Sequence, residues 1–324
     1  MGVKLLVNFL LTAAGFALLI KCADFFVDGA SSLARNFKIS TTVIGLTVVA
    51  FGTSAPELAI SFNAHASGNT DILFGNVIGS NTANILLILG IAILIKPFKI
   101  ENAVIRKEIP ILLLITLGFS VIFLDSLFEP VELNSLGRAD AIVLMLFFAV
   151  FVFYLITLLS GGSEGKGGED IHKAPKHKLA MSIVLTVLGL AGVVIGSDLI
   201  VNNLSALAAY AGISQKVISV TVISIGTSLP ELVTTVVAAK KGENNMAIGN
   251  IVGSNIFNIC IVLGLPVLLL GEAATVSFHI ADIIFLVLSV VLLWKFAASG
   301  REVKRYEALI MIAVYGIYGA YILL

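Results

Sequence analysis

The chain has few charged residues, few cysteines and few histidines among its 324 residues, and each shortage excludes a class of protein. Asp, Glu, Lys and Arg make up 12% of the sequence, against about 25% in a typical soluble domain. The two cysteines, Cys22 and Cys260, lie at positions that predict neither a disulfide framework nor a thiolate metal site. No HExxH, no GxSxG and no histidine pair at ligand spacing supports an enzyme. No basic cluster supports nucleic-acid binding.

Long hydrophobic runs are abundant instead. Hydrophobic residues make up 58% of the chain, and the mean hydropathy is +1.07. A helix needs about 20 residues to cross the hydrocarbon core of a bilayer. Ten runs approach this length, at residues 4–33, 40–66, 71–95, 108–125, 139–160, 179–208, 214–239, 246–270, 277–298 and 306–324. The sequence therefore predicts an all-α integral membrane protein with ten transmembrane helices.

One segment occurs twice, 174 residues apart. The first copy contains GTSAPEL from Gly52 to Leu58 and GNVIGSNTAN from Gly75 to Asn84, and the second contains GTSLPEL and GNIVGSNIFN. Between residues 39–90 and 213–264, 23 of 52 positions are identical. Because the offset spans five predicted helices, the copies enter the membrane from opposite sides. We predict two inverted five-helix repeats, residues 1–160 and 179–324, joined by a glycine-rich linker at 161–178.

The basic residues predict the orientation of the chain, because cytoplasmic loops carry an excess of Lys and Arg. Sixteen of the 20 Lys and Arg residues fall on one side of the predicted topology, and only Lys4, Arg138 and Lys216 fall on the other. The linker is therefore expected in the cytoplasm. Both termini and the loop that contains Glu129 and Glu132 are expected outside, with the protein in the plasma (inner) membrane.

Each copy also places one glutamate inside a run that is otherwise typical of membrane helices. These residues are Glu57 and Glu231. An intramembrane carboxylate is costly and indicates a functional site. Thr53 and Ser54 lie four and three residues before Glu57, so on a helix their hydroxyls share a face with the carboxylate. Two such acids would carry a charge of about −2, which a divalent cation, several monovalent cations or protons must compensate.

A proline precedes each glutamate. Pro56 and Pro230 have no backbone N–H, so we expect the carbonyls of residues 50–53 and their counterparts to be freed from helical hydrogen bonds. Carbonyls, hydroxyls and carboxylates are the hard oxygen ligands that Ca²⁺ prefers and that Na⁺ also accepts.

The second motif pairs a serine with an asparagine four residues later. Ser80 precedes Asn84, and Ser254 precedes Asn258. These side chains are expected to act as ligands, although hydrogen bonding between helices would use the same groups. The glycines of this motif are expected to allow close helix packing: Gly75, Gly79, Gly249 and Gly253.

Asp24 and Asp198 are further charges that occupy matching positions in the two halves. Lys21 lies three residues before Asp24 and is expected to pair with it, whereas Asp198 has no such lysine. We interpret both aspartates as helix-end or water-facing groups, with the lining of an ion path as the alternative.

The two GTSxPEL and GSNxxN elements closely resemble those of the sodium/calcium exchanger family, in the cation/calcium antiporter superfamily. The likeness covers nearly the whole chain and is greatest to compact prokaryotic members. It implies exchange of Na⁺ for Ca²⁺ by alternating access. The second and third helices of each half would form the ion sites, and the first and sixth helices would slide over them. We expect no cofactor, no partner beyond Ca²⁺, Na⁺ and the bilayer, and function as a monomer.

The resemblance also implies a ligand set. Glu57 and Glu231 would be the carboxylates shared by Ca²⁺ and Na⁺. Asn84 and Asn258 would be amides at the site. Backbone carbonyls and serine hydroxyls would supply the other oxygens: carbonyls of Ala50, Thr53, Ser224 and Thr227, and hydroxyls of Ser54, Ser80, Ser228 and Ser254.

Three positions bear on the coupling ion. Potassium-dependent relatives carry an aspartate where this chain has Asn258, which favours potassium-independent exchange. Proton-coupled relatives tend to carry a glutamate within GNxxE, where this chain has Gly79 and Gly253, which favours Na⁺. A proton/calcium exchanger of the same fold remains an alternative. A cation channel and an intramembrane enzyme are alternatives of different classes.

Overall fold

The computed structural model describes residues 2–97, 99–124, 134–160, 174–212, 224–275, 278, 280–300 and 302–323. These residues are almost entirely helical, as the sequence predicts. The helices are numbered in chain order: α1 Gly2–Phe37, α2 Thr41–Thr53, α3 Ala55–Ala66, α4 Thr70–Ile95, α5 Ile109–Phe123, α6 Arg138–Ser160, α7 Leu179–Tyr210, α8 Ser224–Thr227, α9 Leu229–Lys241, α10 Asn244–Leu270, α11 Ile280–Gly300 and α12 Arg305–Leu323.

Among the described residues, six helices are long and apolar enough to cross a membrane: α1, α4, α6, α7, α10 and α11. A seventh span results if α2 and α3, which are bent by 43° relative to each other, are counted as one. The remaining predicted runs correspond to the 15-residue α5, to α8 with α9, and to α12. Residues 213–223, most of the linker (161–173) and the loop with Glu129 and Glu132 lie outside the described residues.

The repeated sequence has repeated local structure. Ser54 separates α2 from α3 with φ −87° and ψ 5°, and Ser228 separates α8 from α9 with φ −89° and ψ 6°. A proline lies in the first turn after each break, where a missing N–H costs no hydrogen bond. In α4 and α10 a π-helical stretch begins at the last asparagine of the motif, at Asn84–Leu89 and Asn258–Leu263.

The duplicated segments form the interior of the molecule. In their most apolar 18-residue windows, α4 is 72% buried and α10 is 83% buried, whereas α6 is only 17% buried. The outer helices instead expose large apolar side chains such as Phe153 and Leu188. This distribution fits a protein whose outer helices face lipid while its polar motifs are enclosed.

Helices α2 and α10 approach closely at glycines. A Cβ atom added at Gly249 would lie 2.7 Å from the carbonyl oxygen of Thr42, and one at Gly253 would lie 2.7 Å from that of Leu46. Only glycine fits at such distances. The packing role predicted for these two glycines is therefore confirmed.

Their first-copy counterparts, Gly75 and Gly79, have different surroundings. A Cβ atom at Gly75 would lie 3.1 Å from the ring of Phe278. A Cβ atom added at Gly79 would have no atom of the described residues within 4 Å. A tight contact is thus observed for Gly75 alone of this pair.

The long helices α1 and α7 also pack backbone against backbone. A Cβ atom at Gly29 would lie 2.5 Å from the amide nitrogen of Thr186, and one at Gly189 would lie 2.6 Å from that of Phe26. Small residues that let two backbones approach are typical of helix pairs within membranes. The two helices are therefore expected to move as one body.

A short antiparallel ribbon lies at one end of the molecule. Strand β1 (Asn134–Leu136) pairs with strand β2 (Ala273–Thr275), with Ser135 opposite Ala274. This pairing connects the segment before α6 to the segment before α11.

Candidate functional site

The two helix breaks place the two glutamates. Glu57 lies in the first turn of α3 and Glu231 in the first turn of α9, and the residues are 1% and 0% exposed. The N-terminus of a helix carries roughly half a positive charge, which stabilises a carboxylate in this position. A full countercharge is still required because both side chains are excluded from solvent.

The breaks differ in one respect from the expectation for Pro56. The carbonyl of Ala50 accepts a hydrogen bond from the backbone N–H of Ser54 at 3.1 Å. The prediction that proline frees this carbonyl is therefore wrong. The helix continues through Thr53 and breaks at Ser54, one residue before the first turn that contains the proline.

The two halves meet at the carboxylates. The hydroxyl of Ser54 donates a hydrogen bond to Glu231 Oε1 at 3.0 Å, although these residues are 177 positions apart. The structure thus brings together the two GTSxPEL motifs, as the sequence predicts.

Asn250 holds Thr53 against the second half. The Thr53 hydroxyl donates to Asn250 Oδ1 at 3.2 Å, and Asn250 Nδ2 donates to Thr235 Oγ1 at 3.0 Å. In the first half, Asn76 Nδ2 donates to the backbone carbonyl of Glu57 at 3.0 Å and to Ser61 Oγ at 2.9 Å. These two asparagines fix the backbone and the hydroxyls around the acids.

Asn81 and Asn255, at equivalent positions of the two copies, bind each other reciprocally. Asn81 Nδ2 donates to the backbone carbonyl of Asn255 at 3.2 Å, and Asn255 Nδ2 donates to the carbonyl of Asn81 at 3.1 Å. Asn84 Nδ2 donates to Asn255 Oδ1 at 3.0 Å. All three residues are buried. A reciprocal contact between equivalent residues is expected at a twofold relation.

The predicted serine and asparagine residues of the second motif also meet across the halves. Asn258 Nδ2 donates to Ser80 Oγ at 3.2 Å. Ser254 Oγ lies 3.5 Å from the carbonyl oxygen of Ala50, at the limit of a hydrogen bond. Asn258 and Ser254 are fully buried.

The two remaining predicted residues lie on α8. Thr227 is buried at the end of this helix and has interactions with its surroundings. Ser224 begins the helix, and its side chain is outside the described part of the chain.

Further residues that the motifs did not single out support the site. They are six polar residues, all on the duplicated segments: Ser61, Asn76, Asn81, Thr235, Asn250 and Asn255. Their positions in the two copies coincide at the 174-residue offset, with Ser61 matching Thr235. A polar residue retained in both copies of an apolar helix was the available signal.

The amide donors are used, whereas several acceptor oxygens are not. Seven buried side-chain oxygens around the motifs have no hydrogen-bond partner among the described residues: Oε1 and Oε2 of Glu57, Oε2 of Glu231, Oδ1 of Asn81, Asn84 and Asn258, and Oγ of Ser228. A buried acceptor without a donor is costly. Carboxylate, amide and hydroxyl oxygens are the ligands of hard cations. The oxygen set therefore fits a cation.

Within the described ranges, no three His, Cys, Asp or Glu side chains form a group that could hold a metal ion. The site instead combines two carboxylates with neutral oxygens. Such a low ligand charge suits an ion that must leave again.

A cavity of about 570 Å³ reaches the site between α3 and α7. Its lining on α3 includes Ala55 and Pro56, which directly follow the Ser54 break, and on α8 it includes Thr227. Asp198 and Asn202 line it on α7. We call this cavity the α3–α7 vestibule. The position of Asp198 fits the alternative interpretation, a lining of an ion path.

Asp24, the counterpart of Asp198, is bound differently from the expectation. Its carboxylate pairs with Lys241 at 2.8 Å. The Lys21 ammonium lies 5.5 Å from the centroid of the Phe25 ring instead. The predicted pair of Lys21 and Asp24 is therefore wrong.

The whole chain can be compared with known proteins. The family model described as sodium/calcium exchanger protein matches residues 7–157 and 181–324. The chain belongs to the sodium/calcium exchanger family. It is therefore an integral membrane protein and a cation/Ca²⁺ antiporter by family, as the motifs predict.

Three known proteins are similar to this chain over most of its length. The sodium/calcium exchanger MaX1 of Methanosarcina acetivorans is 33% identical, over 95% of this chain and 96% of its own. The inner membrane protein YrbG of Escherichia coli is 37% identical over 88% of each chain. A structure of the sodium-calcium exchanger NCX_Mj, soaked with Na⁺ and Ca²⁺, has a TM-score of 0.82 at 31% identity and covers 97% of this chain and 98% of that one.

Proposed function

We propose that this protein exchanges Na⁺ for Ca²⁺ by alternating access between two inverted five-helix halves. The halves are residues 1–160 and 179–324, joined by the linker 161–178. The observation that carries the proposal is the meeting of Glu57 and Glu231 through Ser54, among buried oxygens that lack donors. The likeness to sodium/calcium exchangers supports the same ions.

Competition for one set of oxygens produces exchange. Two ionised carboxylates in a dry site carry a charge of about −2, and moving that charge through the membrane uncompensated is costly. Ca²⁺ compensates it, and so do Na⁺ ions at overlapping positions. The ligands that we propose are the predicted set: Glu57, Glu231, Ser54, Ser80, Ser228, Ser254, Asn84 and Asn258 through side chains, and Ala50, Thr53, Ser224 and Thr227 through carbonyls.

Proton coupling is the second candidate function. A buried carboxylate can be neutralised by a proton as well as by a cation. Gly79 and Gly253 lack the extra carboxylate expected of proton-coupled relatives, which favours Na⁺. Asn258 donates an amide N–H to Ser80, and a neutral amide at this position favours exchange without K⁺.

The proposed orientation places the basic end of the molecule in the cytoplasm. Residues predicted to share this side are in contact across the halves: Lys96 Nζ donates to the carbonyl of Lys240 at 3.3 Å, and Arg35 pairs with Glu243. We call this end the lysine-rich side. The α3–α7 vestibule lies toward the other end, so we propose that this conformation is open to the outside. Both termini would then lie outside.

The test is ion flux in proteoliposomes. An outward Na⁺ gradient should drive ⁴⁵Ca²⁺ uptake in the wild type, and Glu57→Gln and Glu231→Gln should each abolish it. Glu108→Gln is the matched control, because Glu108 is also a buried helix acid but hydrogen-bonds Tyr154 away from the motifs. Retained flux in either motif variant would remove its carboxylate from the proposed role.

The same vesicles separate the alternatives. Replacing the Na⁺ gradient by a pH gradient should give no uptake, and adding K⁺ should not change the Na⁺-driven rate. Uptake driven by pH alone would identify a proton/calcium exchanger. Saturating single-channel currents in planar bilayers would identify a channel.

A further inference from the structure

Lys241 binds two carboxylates at the lysine-rich side. At the end of α9, its Nζ lies 2.8 Å from Asp24 Oδ1 and 2.7 Å from Asp28 Oδ1, both on α1. It also donates to the backbone carbonyl of Asp24 at 2.8 Å. From the end of the linker, Lys176 Nζ lies 2.5 Å from Asp28 Oδ2. This hydrogen bond raises the pKa of Lys176 above its ordinary value.

A second ion pair connects the same two parts of the molecule. Arg35, nearer the end of α1, pairs with Glu243 in the turn between α9 and α10. Both side chains are about nine-tenths buried. Apolar packing lies deeper in the same interface, where Ala23 of α1 belongs to a cluster with Leu229 and Val233 of α9. The α1–α9 interface is therefore closed.

The equivalent interface of the other half, between α7 and α3, is open. It holds the α3–α7 vestibule, which Asp198 and Asn202 line. At the 174-residue offset, the counterparts of the charged residues are mostly neutral. Asp24 and Asp28 correspond to Asp198 and Asn202, Arg35 to Ala209, Lys241 to Ser67, and Glu243 to Asn69.

We propose that Lys241 and Arg35, through their pairs with Asp24, Asp28 and Glu243, form a lock that keeps the lysine-rich side of the exchanger closed in the absence of cytoplasmic cations. The lock rests on the proposed alternating access, in which α1 and α7 slide over the helices that hold the site. The ion pairs join the sliding body to that core, so they must break when the lysine-rich side opens. Among the described residues, the counterparts at the α3–α7 vestibule form no such ion pairs.

The lock has a consequence for ion access. When Lys241 leaves, the carboxylates of Asp24 and Asp28 face the opened path without its ammonium group, and only Lys176 remains beside Asp28. An arriving cation replaces that charge, which stabilises the open state. Opening of the lysine-rich side is therefore expected to depend on cations, whereas opening of the α3–α7 vestibule is not.

The test measures the accessibility of matched cysteines and requires no transport. In a Cys22→Ala, Cys260→Ala background, Ser205→Cys reports on the α3–α7 vestibule and its repeat counterpart Ser31→Cys on the α1–α9 interface. Labelling by a hydrophilic maleimide is measured in detergent without Na⁺ or Ca²⁺. We expect fast labelling at Ser205→Cys and slow labelling at Ser31→Cys.

The variants that remove the lock carry the residue found at the matching position of the other half. Lys241→Ser and Arg35→Ala should each accelerate labelling at Ser31→Cys and slow it at Ser205→Cys. For Lys241→Ser, which removes a partly exposed ion pair, the expected change in labelling rate is roughly threefold to tenfold. For Arg35→Ala it should be at least as large, because the pair with Glu243 is about nine-tenths buried. Lys240→Ser, at the exposed neighbouring position, is the matched control. If Lys241→Ser does not fold, Asp28→Asn replaces it, and this variant should also accelerate labelling at Ser31→Cys and slow it at Ser205→Cys.

The reverse substitution gives an independent check. Ser67→Lys together with Asn202→Asp should install a lock at the α3–α7 vestibule and slow labelling at Ser205→Cys. Unchanged labelling in all of these variants would overturn the lock. That result is distinct from failure of the Na⁺/Ca²⁺ proposal, which the flux experiment alone decides. If Na⁺-driven flux is observed but labelling is unchanged in the variants, the lock is overturned and the exchange proposal stands. If labelling changes but no Na⁺-driven flux is observed, the lock stands and the exchange proposal fails.

Discussion

Asparagine side chains hold the centre of the molecule together. Asn81 and Asn255 exchange hydrogen bonds with each other's backbone, and Asn250 connects Thr53 to Thr235. Their N–H groups are satisfied by protein, while three of the four carboxylate oxygens of Glu57 and Glu231 have no donor among the described residues. The residues that shape the site are thus distinct from those proposed to bind the ion.

Replacement of Asn250 by leucine should therefore destabilise the protein. Asn250→Leu keeps the branching of the side chain but leaves the buried hydroxyl of Thr235 without its donor. We expect a loss of about 1–3 kcal/mol in the free energy of unfolding. Chemical denaturation in detergent measures this loss, and Asn63→Leu at an exposed position is the control. Equal stability of Asn250→Leu and wild type would contradict the bridging role.

At the scale of elements, two kinds of helix contact recur. Helices α2 and α10 meet where Gly249 and Gly253 face backbone carbonyls, and α1 meets α7 where Gly29 and Gly189 face backbone amides. Both contacts depend on the absence of a side chain, because backbone atoms cannot move aside as a flexible side chain can. The helix breaks at Ser54 and Ser228 place Glu57 and Glu231 in the first turns of the helices that follow.

A methyl group at Gly253 should separate α2 from α10. In Gly253→Ala, the new Cβ would lie 2.7 Å from the carbonyl oxygen of Leu46 and 2.8 Å from the Cβ of Ala50. Overpacking of this kind costs roughly 1–3 kcal/mol. Because Ala50 is displaced, Na⁺-driven Ca²⁺ flux should fall as well. Gly316→Ala, where no described atom lies within 4 Å, should leave thermal stability and flux near wild type.

At the scale of the whole molecule, the formal net charge of zero hides a buried concentration of negative charge. Glu57 and Glu231 belong to different halves, so only the assembled fold brings the two carboxylates together. An ion that binds both therefore binds the folded state alone. Such binding couples ion concentration to the stability of the protein.

Removal of cations should lower the thermal stability of the wild type. Ca²⁺ at a concentration 100 times its dissociation constant adds about 2.7 kcal/mol to the folded state. The double variant Glu57→Gln, Glu231→Gln should not respond to Ca²⁺. In cation-free buffer it should be at least as stable as wild type, because two buried like charges are gone. The comparison uses melting temperatures in choline buffer with and without Ca²⁺. Stabilisation of the double variant by Ca²⁺ would place the ion elsewhere.

Sequence reasoning predicted the features that depend on local chemistry. Hydropathy predicted the helices, and the duplicated GTSxPEL motif predicted the acids and their neighbouring hydroxyls. The predictions failed where a side chain has several possible interaction partners. Lys21 lies three residues before Asp24 on the same helix, yet Asp24 is bound by Lys241, which is 217 positions away in the sequence. Asn76 and Asn250 were missed because a buried amide in an apolar helix has many possible partners.

The amino-acid sequence by itself determined that this protein is helical and membrane-embedded, that a segment with one acid occurs twice, and that the family is that of sodium/calcium exchangers. These properties follow from composition, periodicity and motif, which are local. Only the tertiary structure decided which oxygens lie together, which helices touch at glycines, and which of two equivalent interfaces is open. Those choices depend on contacts between residues far apart in the chain, and two similar segments can make different contacts.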